Sequence, residues 1–134
     1  MKLFYLDTTS LVLRLAILQD GAVTALVQDA GMGRHSQNLI PSIAKLWQDH
    51  QVSAADFSAW VVNPGPGSFT GIRMGLACIK AIAWVSTKPI VCIDTLSLWA
   101  LPYLSRNQVI LPYFKARASE VYAAAYQTNA TYDH

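Results

Sequence analysis

Asp7-Thr8-Thr9-Ser10 places one carboxylate and three hydroxyls in consecutive positions, directly after an apolar run. Such oxygens can hold a Mg²⁺ ion and the phosphates it neutralises. The same residue types also favour turns, because their side chains hydrogen-bond nearby backbone. A second candidate is NPGPGSFTGIR, Asn63 to Arg73. A P-loop needs GxxxxGK[ST], but the residue five beyond Gly65 is Thr70 and that beyond Gly67 is Ile72, with no lysine following in either register. A dinucleotide loop needs GxGxxG; Gly65 and Gly67 fit, and Gly71 arrives one residue late. Both templates fail. What remains is a strand–loop–helix context in which the backbone N–H groups opening the helix could bind an anion.

Other reactive constellations are missing from the sequence. His35, His50 and His134 form neither HxxxH nor HExxH, so a histidine-held metal is not expected. A two-metal nuclease needs converging carboxylates. Only eight acidic residues are present, the first helix has no early Glu, and the strand before the glycine loop ends at Asn63. No Ser/His/Asp set emerges from the spacing, so no catalytic residue is assigned. Cys78 and Cys92 make no CxxC or disulfide framework, which fits a reduced, cytoplasmic setting. Asp94 reads as a helix N-cap, Cys78 as packing, and Arg117 with Glu120 as a minor ion pair.

The elements that must position these residues follow from apolar periodicity. Strands are expected at Lys2–Asp7, Leu11–Leu18 and Ala22–Gln28, with a turn at Gln19-Asp20-Gly21, forming an antiparallel meander. Leu39, Ile40, Ile43, Leu46 and Trp47 have helical spacing, with Ser36 as N-cap and Pro41 as a kink or first-turn residue. A strand over Phe57–Val62 leads into the glycine loop, and Ser68–Ser86 should be a helix. A strand near Pro89–Ile93 and a third helix from Asp94 or Thr95 follow. VILPYF and EVYAAAY read as two strands joined by KARAS, and the last residues as a frayed tail. The order βββαβαβα plus a β-hairpin predicts an α/β, ribonuclease-H-like (actin-like ATPase) domain with a mixed sheet. Residues 1–104 would be that domain, and 105–134 the hairpin, a remnant or start of a second one. In this fold the turn after the first strand holds Mg²⁺ and the phosphates of ATP. Asp7, Thr8 and Thr9 are therefore the candidate cofactor-binding residues, expected to form a degenerate nucleotide site.

The bulk composition bears on partners. Hydrophobic residues make up 53% of the 134, and charged residues 13%, about half the ~25% of ordinary soluble domains. So much apolar surface is hard to hide in a small monomer. The net charge of +2 is spread without a basic stripe, which argues against direct nucleic-acid binding. No run approaches the ~18 apolar residues of a membrane span, and the N-terminal apolar run is too short for a signal core. The helix FTGIRMGLACIKAIAW is apolar nearly all round, charged only at Arg73 and Lys80. Such a helix is buried on more than one side. Gly71 and Gly75, four apart, would let another backbone approach. The sheet covers one face, and neighbouring helices or a second subunit cover the other. The expected partner interface is Leu39, Ile43, Trp47, Gly71, Met74, Gly75, Cys78 and Ile82.

GPGSFTGIRMGL closely resembles the signature of the TsaB family. LDTTS, RHSQNLIP and ARASEVYAAAY are similar to that family too, in the right order, from about Lys2 to Tyr126. The resemblance implies a non-catalytic subunit that serves the enzyme TsaD in adding threonylcarbamoyl to adenosine of tRNA. It implies pairing with TsaD through the first two helices, here Ser36–His50 and Ser68–Ser86, with TsaE joining at that junction. ATP and Mg²⁺ would belong to the assembled complex, with no cofactor of the subunit's own, and tRNA would be met only through the complex. Alone, the chain would self-associate through the same helices as a dimer. Two departures stand out. Lys115 occupies a position where the family usually has Asp, and the family normally continues well past residue 134. A lone hairpin is marginal, so Val109–Tyr126 is expected to pair with the sheet or with another copy. The alternative reading is a small nucleotide-dependent phosphotransferase or ATPase using Asp7, Thr8 and Thr9.

Overall fold

The computed structural model describes residues 1–30, 35–104 and 108–127; the side chains of residues 35 and 36 are outside that description. So is the expected tail from residue 128 onward.

Alternating apolar residues build a five-stranded mixed sheet. β1 (Lys2–Asp7), β2 (Leu13–Gln19) and β3 (Ala22–Asp29) form the antiparallel meander. β4 (Ala59–Val62) then pairs parallel with β1, and β5 (Ile90–Cys92) parallel with β4. The spatial order is β3-β2-β1-β4-β5. Side chains alternate across the sheet, so Phe4 and Leu6, Leu13, Leu15 and Ile17, and Trp60 and Val62 share one face and are buried.

Two helices cover that face. α1 (His35–Asp49) contributes Leu39, Ile43 and Leu46, and α2 (Phe69–Ser86) contributes Ile79 and Ala83. α1 continues through Pro41, and Ser36, expected as its cap, already lies within the helical range. Between them, Phe4, Trp47, Phe57 and Trp60 form an aromatic cluster with ring centroids 5.1–5.9 Å apart. Edge contacts of this kind add ~0.5–1.5 kcal/mol per pair beyond area burial. Trp60 Nε1 donates to Ser86 Oγ at 2.9 Å, tying the cluster to the last turn of α2.

Local chemistry sets the ends of α2. Ser68 Oγ accepts from the Gly71 N–H, and Thr87, left-handed at φ 53°, returns its N–H to the Ala83 carbonyl. α3 (Thr95–Ala100) starts at Asp94, whose carboxylate accepts from the Leu96 and Ser97 N–H groups. Burial pushes the Asp94 carboxyl up, but hydrogen bonds from Ser97 and Leu96 outweigh it and hold it below its ordinary value.

The expected terminal hairpin is interrupted. β6 (Val109–Ile110) pairs with β9 (Tyr126–Gln127), and β7 (Tyr113–Lys115) with β8 (Val121–Ala123), both antiparallel. Pro112 lacks the N–H a continuous ladder needs. Contrary to expectation, these strands do not join the five-stranded sheet. They contact the domain through side chains: Trp99 and Phe114 rings lie 5.9 Å apart, and Ser97 Oγ is 3.0 Å from Tyr126 OH.

Candidate functional site

The turn after β1 and the glycine loop before α2 are packed against each other. β1 and β4 are parallel neighbours, so their C-terminal ends bring Asp7 and Asn63 to the same edge of the sheet. Asp7, Thr8, Thr9 and Asn63 are all buried, at 6%, 1%, 4% and 2% exposure. Buried polar groups must find partners, and these do. Thr9 N and Thr9 Oγ1 donate to Asp7 Oδ1 at 2.8 and 2.7 Å. Tyr5 OH donates to Asp7 Oδ2 at 3.2 Å, and Arg14 Nη1 lies 4.0 Å from the same oxygen. Burial, then the Asp7 charge, push the Tyr5 hydroxyl far above its ordinary value, so it stays a donor. Thr8 Oγ1 donates to the Gly71 carbonyl at 2.7 Å, and Ser68 N donates to the Thr9 carbonyl at 2.7 Å. The candidate cofactor residues are thus brought together, with their oxygens engaged inside the chain.

The glycines earn their places here. A Cβ on Gly71 would overlap the Thr8 carbonyl oxygen. One on Gly75 would meet Thr8 Oγ1 and come within 2.9 Å of Leu6 Cδ2. The backbone that approaches α2 closely is therefore that of its own first strand and turn. This corrects the expectation that the Gly71–Gly75 face receives a partner.

The remaining interface residues divide in the same way. Leu39 and Ile43 are 4% and 5% exposed and belong to the core. Trp47, Cys78 and Ile82 are half-buried against it, and burial raises the Cys78 thiol above its ordinary value. Met74 is half-buried beside the cleft described below. The buried residues of α2 are Gly71, Gly75, Ile79 and Ala83, a single side at helical spacing. The other side carries Arg73, Ala77, Lys80, Ala81, Trp84 and Val85, all exposed, with Trp84 at 86% and Val85 at 84%. Ile40 of α1 is 61% exposed. The helix does have two apolar sides, then, but the free one is not the glycine side. By length and composition alone α2 could also cross a membrane, yet its glycine side is seated on the sheet.

A cleft of about 1340 Å³ opens beside this junction. The turn after β1 and the first turns of α2 form one wall, and β7, β8 and the loop between them the other. Arg14, Lys115, Arg117 and Glu120 stand at its lining, together with Phe69, Phe114 and Tyr122. The expected Arg117–Glu120 ion pair does not form; the Glu120 N–H instead donates to the Arg117 carbonyl at 2.8 Å.

Asn63 was the residue least visible as functional. Its Oδ1 accepts from Gly65 N at 2.9 Å and Thr95 Oγ1 at 3.1 Å, and its Nδ2 donates to Thr9 Oγ1 at 3.4 Å. One side chain thereby links β4, the glycine loop, α3 and the β1 turn. An Asn two residues before a glycine at a strand end is the available signal, since Asn makes such turns; its long-range bonds carry none.

The sequence model of the family described as "TsaD: tRNA N6-adenosine threonylcarbamoyltransferase" matches residues 30–133. The tRNA threonylcarbamoyladenosine biosynthesis protein TsaB of Bacillus subtilis is 32% identical over 95% of this chain and 56% of its own length. The corresponding TsaB of Escherichia coli is 30% identical over 95% of this chain and 55% of its own. The chain spans about half the length of the curated TsaB relatives it matches. Among solved structures, YeaZ from Pseudomonas aeruginosa superposes with TM-score 0.83 at 24% identity, covering 96% of this chain and 61% of that one. That likeness supports the actin-like, ribonuclease-H-like α/β fold with its mixed sheet. Similar to TsaB proteins along nearly all its length, and matched over most of it by the TsaD family model, the chain belongs to this family and, within it, to TsaB.

Proposed function

We propose that the chain acts in tRNA threonylcarbamoyladenosine biosynthesis as a non-catalytic subunit that docks and activates TsaD. The observation that carries this reading is the uncovered side of α2. Trp84 and Val85 stand almost fully exposed on a helix whose opposite side is packed on its own sheet. A Trp exposed beside Val and Ala at helical spacing suits helix-on-helix docking, where aromatic anchors dominate the energy. Arg73 and Lys80 on the same side favour an acidic rim on the partner.

In this reading TsaE joins the docked pair, and ATP and Mg²⁺ are handled by the assembled complex. The tRNA is met through that complex. The subunit supplies no catalytic group, in keeping with the engagement of both Asp7 oxygens by Thr9 and Tyr5. Without TsaD, the same side of α2 pairs two copies across an isologous interface.

The test is co-purification with TsaD from the same organism, followed by reconstitution with TsaE, ATP, an activated threonylcarbamoyl donor and tRNA. Complex formation and restored modification are expected for the wild type, and neither for Trp84→Glu. Modification at full rate without the chain, or with the Trp84→Glu variant, would sink the proposal. Tight Mg·ATP binding by the isolated chain, lost in Asp7→Ala, would favour a phosphotransferase instead.

A further inference from the structure

The five-stranded sheet ends in two unlike edges. β5 is three residues long and is bracketed by Lys88, Pro89 and Asp94, features that keep an edge from pairing. β3 is eight residues long, AVTALVQD, with no lysine, arginine, proline or glycine. We propose that the β3 edge is a self-association surface, on which a second copy of the chain lays its own β3 antiparallel across a two-fold axis at Val27. This surface involves neither α2 nor its exposed side, so the inference stands apart from the docking role.

Hydrogen-bond alternation fixes which groups are available. The Asp20 N–H donates to the Met1 carbonyl, so in the β1–β2 register the even-numbered residues of β2 bond to β1 and the odd-numbered ones to β3. Leu13, Leu15 and Ile17 therefore bond with Asp29, Val27 and Ala25. The N–H and C=O groups of Leu26 and Gln28 point the other way, off the edge of the sheet, and both residues are exposed. A bulge leaves Thr24 unmatched and ends the regular edge there. The run that remains, 25–29, has Val27 at its centre. Two-fold pairing about Val27 sets Leu26 against the second copy's Gln28, and Gln28 against its Leu26, so every outward group of both residues is bonded. Val27 meets its own counterpart, a β-branched pair on the side covered by α1, and Ala25 meets Asp29. Asp29 is the only charge in the run, so no like charges are opposed. The helices fit this arrangement as well. α1 packs over both β2 and β3. Strands ~4.8 Å apart would set the two copies of α1 about 10 Å apart, the spacing of packed helices. The flank of α1 turned toward β3 carries Asn38, whose Nδ2 donates to Asp29 Oδ2 at 2.8 Å, and Ser42 one turn on, both small enough for that approach. A contact of about five residues a side is well below the ~20–30 of a stable complex, so the pairing is weak and dissociates on the dilution of gel filtration.

The experiment is sedimentation equilibrium at submillimolar concentration on the full chain carrying Trp84→Glu, which makes the outcome independent of whether α2 docks. A monomer–dimer equilibrium is expected, with a dissociation constant of roughly 0.1 mM. Adding Gln28→Pro removes an outward N–H and leaves the bonds to β2 intact; it should weaken the dimer by about tenfold or more. Gln28→Ala keeps the backbone group and should leave the dimer unchanged. Leu26→Lys, a charge placed on the edge, should weaken it as Gln28→Pro does. Amide hydrogen exchange should slow at Leu26 and Gln28 as concentration rises. A chain that stays monomeric throughout overturns the proposal. So does exchange at Leu26 and Gln28 that ignores concentration, or a dimer unmoved by both Gln28→Pro and Leu26→Lys while circular dichroism shows them folded. A dimer that falls apart in high salt would be held by charge rather than backbone, and loss of TsaD binding in Gln28→Pro would assign the edge to that enzyme; either result overturns it too.

Discussion

Thr8 Oγ1 donates a 2.7 Å hydrogen bond to the carbonyl of Gly71, joining the turn after the first strand to the first turn of α2 across 63 residues. The bond forms because residue 71 has no side chain to hold the two backbones apart. Gly71→Ala tests this. Helix propensity alone would favour alanine by ~1 kcal/mol. Forcing a methyl against the rigid Thr8 carbonyl should cost ~3 kcal/mol or more, because backbone cannot yield as a flexible side chain can. Net destabilisation in urea unfolding is expected; a gain in stability would show that the turn is loosely held.

Gly75→Leu separates folding from association in a way the sequence alone misjudges. If the Gly71–Gly75 face received a partner, as its spacing suggests, this change would disturb association more than the fold. In the structure the added side chain meets Thr8 and Leu6 inside the chain. The expected outcome is therefore loss of the folded domain, seen in a collapsed melting transition. By contrast Trp84→Glu, on the free side of α2, should alter stability within about 0.5 kcal/mol while removing association in gel filtration.

Asn63→Ala removes a hub of three hydrogen bonds and leaves buried groups on Gly65, Thr9 and Thr95 short of a partner. Unsatisfied buried groups cost ~1–3 kcal/mol each before relaxation. Some re-pair, since Thr95 Oγ1 also reaches the Pro66 carbonyl at 2.7 Å. A loss of about 2–3 kcal/mol in chemical unfolding is expected. A change below the error of the measurement would mean that the loop holds its shape without the amide.

Trp47→Phe should go the other way. The ring packs against Phe4, Phe57 and Trp60, but its buried Nε1 has no hydrogen-bond partner among the described residues. Phenylalanine keeps an aromatic ring there and removes the orphaned donor. The expected result is unchanged stability or a gain of up to ~1 kcal/mol, set between lost area and a relieved desolvation cost. A large loss would imply an acceptor for that N–H in solution.

Asp94 predicts an acid-side dependence. Its carboxyl is held below its ordinary value of 3.8, net of burial, by hydrogen bonds from Ser97 and Leu96. A carboxylate lowered on folding stabilises fully above its unfolded value, and that stabilisation is lost as the pH falls through the lowered folded value. Thermal unfolding of wild type and Asp94→Ala should differ at neutral pH, by ~1 kcal/mol for a lost N-cap, and converge in strong acid. A difference that stays constant down to the lowest pH would assign the effect to packing rather than the cap.

Much of the domain was legible because its signals are local. Alternation in KLFYLD and helical spacing from Leu39 to Trp47 are properties of neighbouring residues, and both elements form as read. Asp94 caps α3, as its side chain allows. The Gly71–Gly75 spacing announced a close backbone approach, and one occurs.

Which backbone would arrive was not in that spacing. The approach comes from Thr8, more than sixty residues earlier, because parallel pairing of β1 with β4 sets the two turns side by side. The same pairing buries Asn63 and engages Asp7. The fold of the terminal strands brings Lys115 and Arg117 to the cleft that Arg14 lines. Sequence thus determined the elements as far as α3, the apolar character of α2 and the family likeness. Tertiary structure decided which side of α2 is covered and which polar groups are left open. Element formation depends on contacts a few residues apart, whereas coverage depends on long-range packing that no local period encodes.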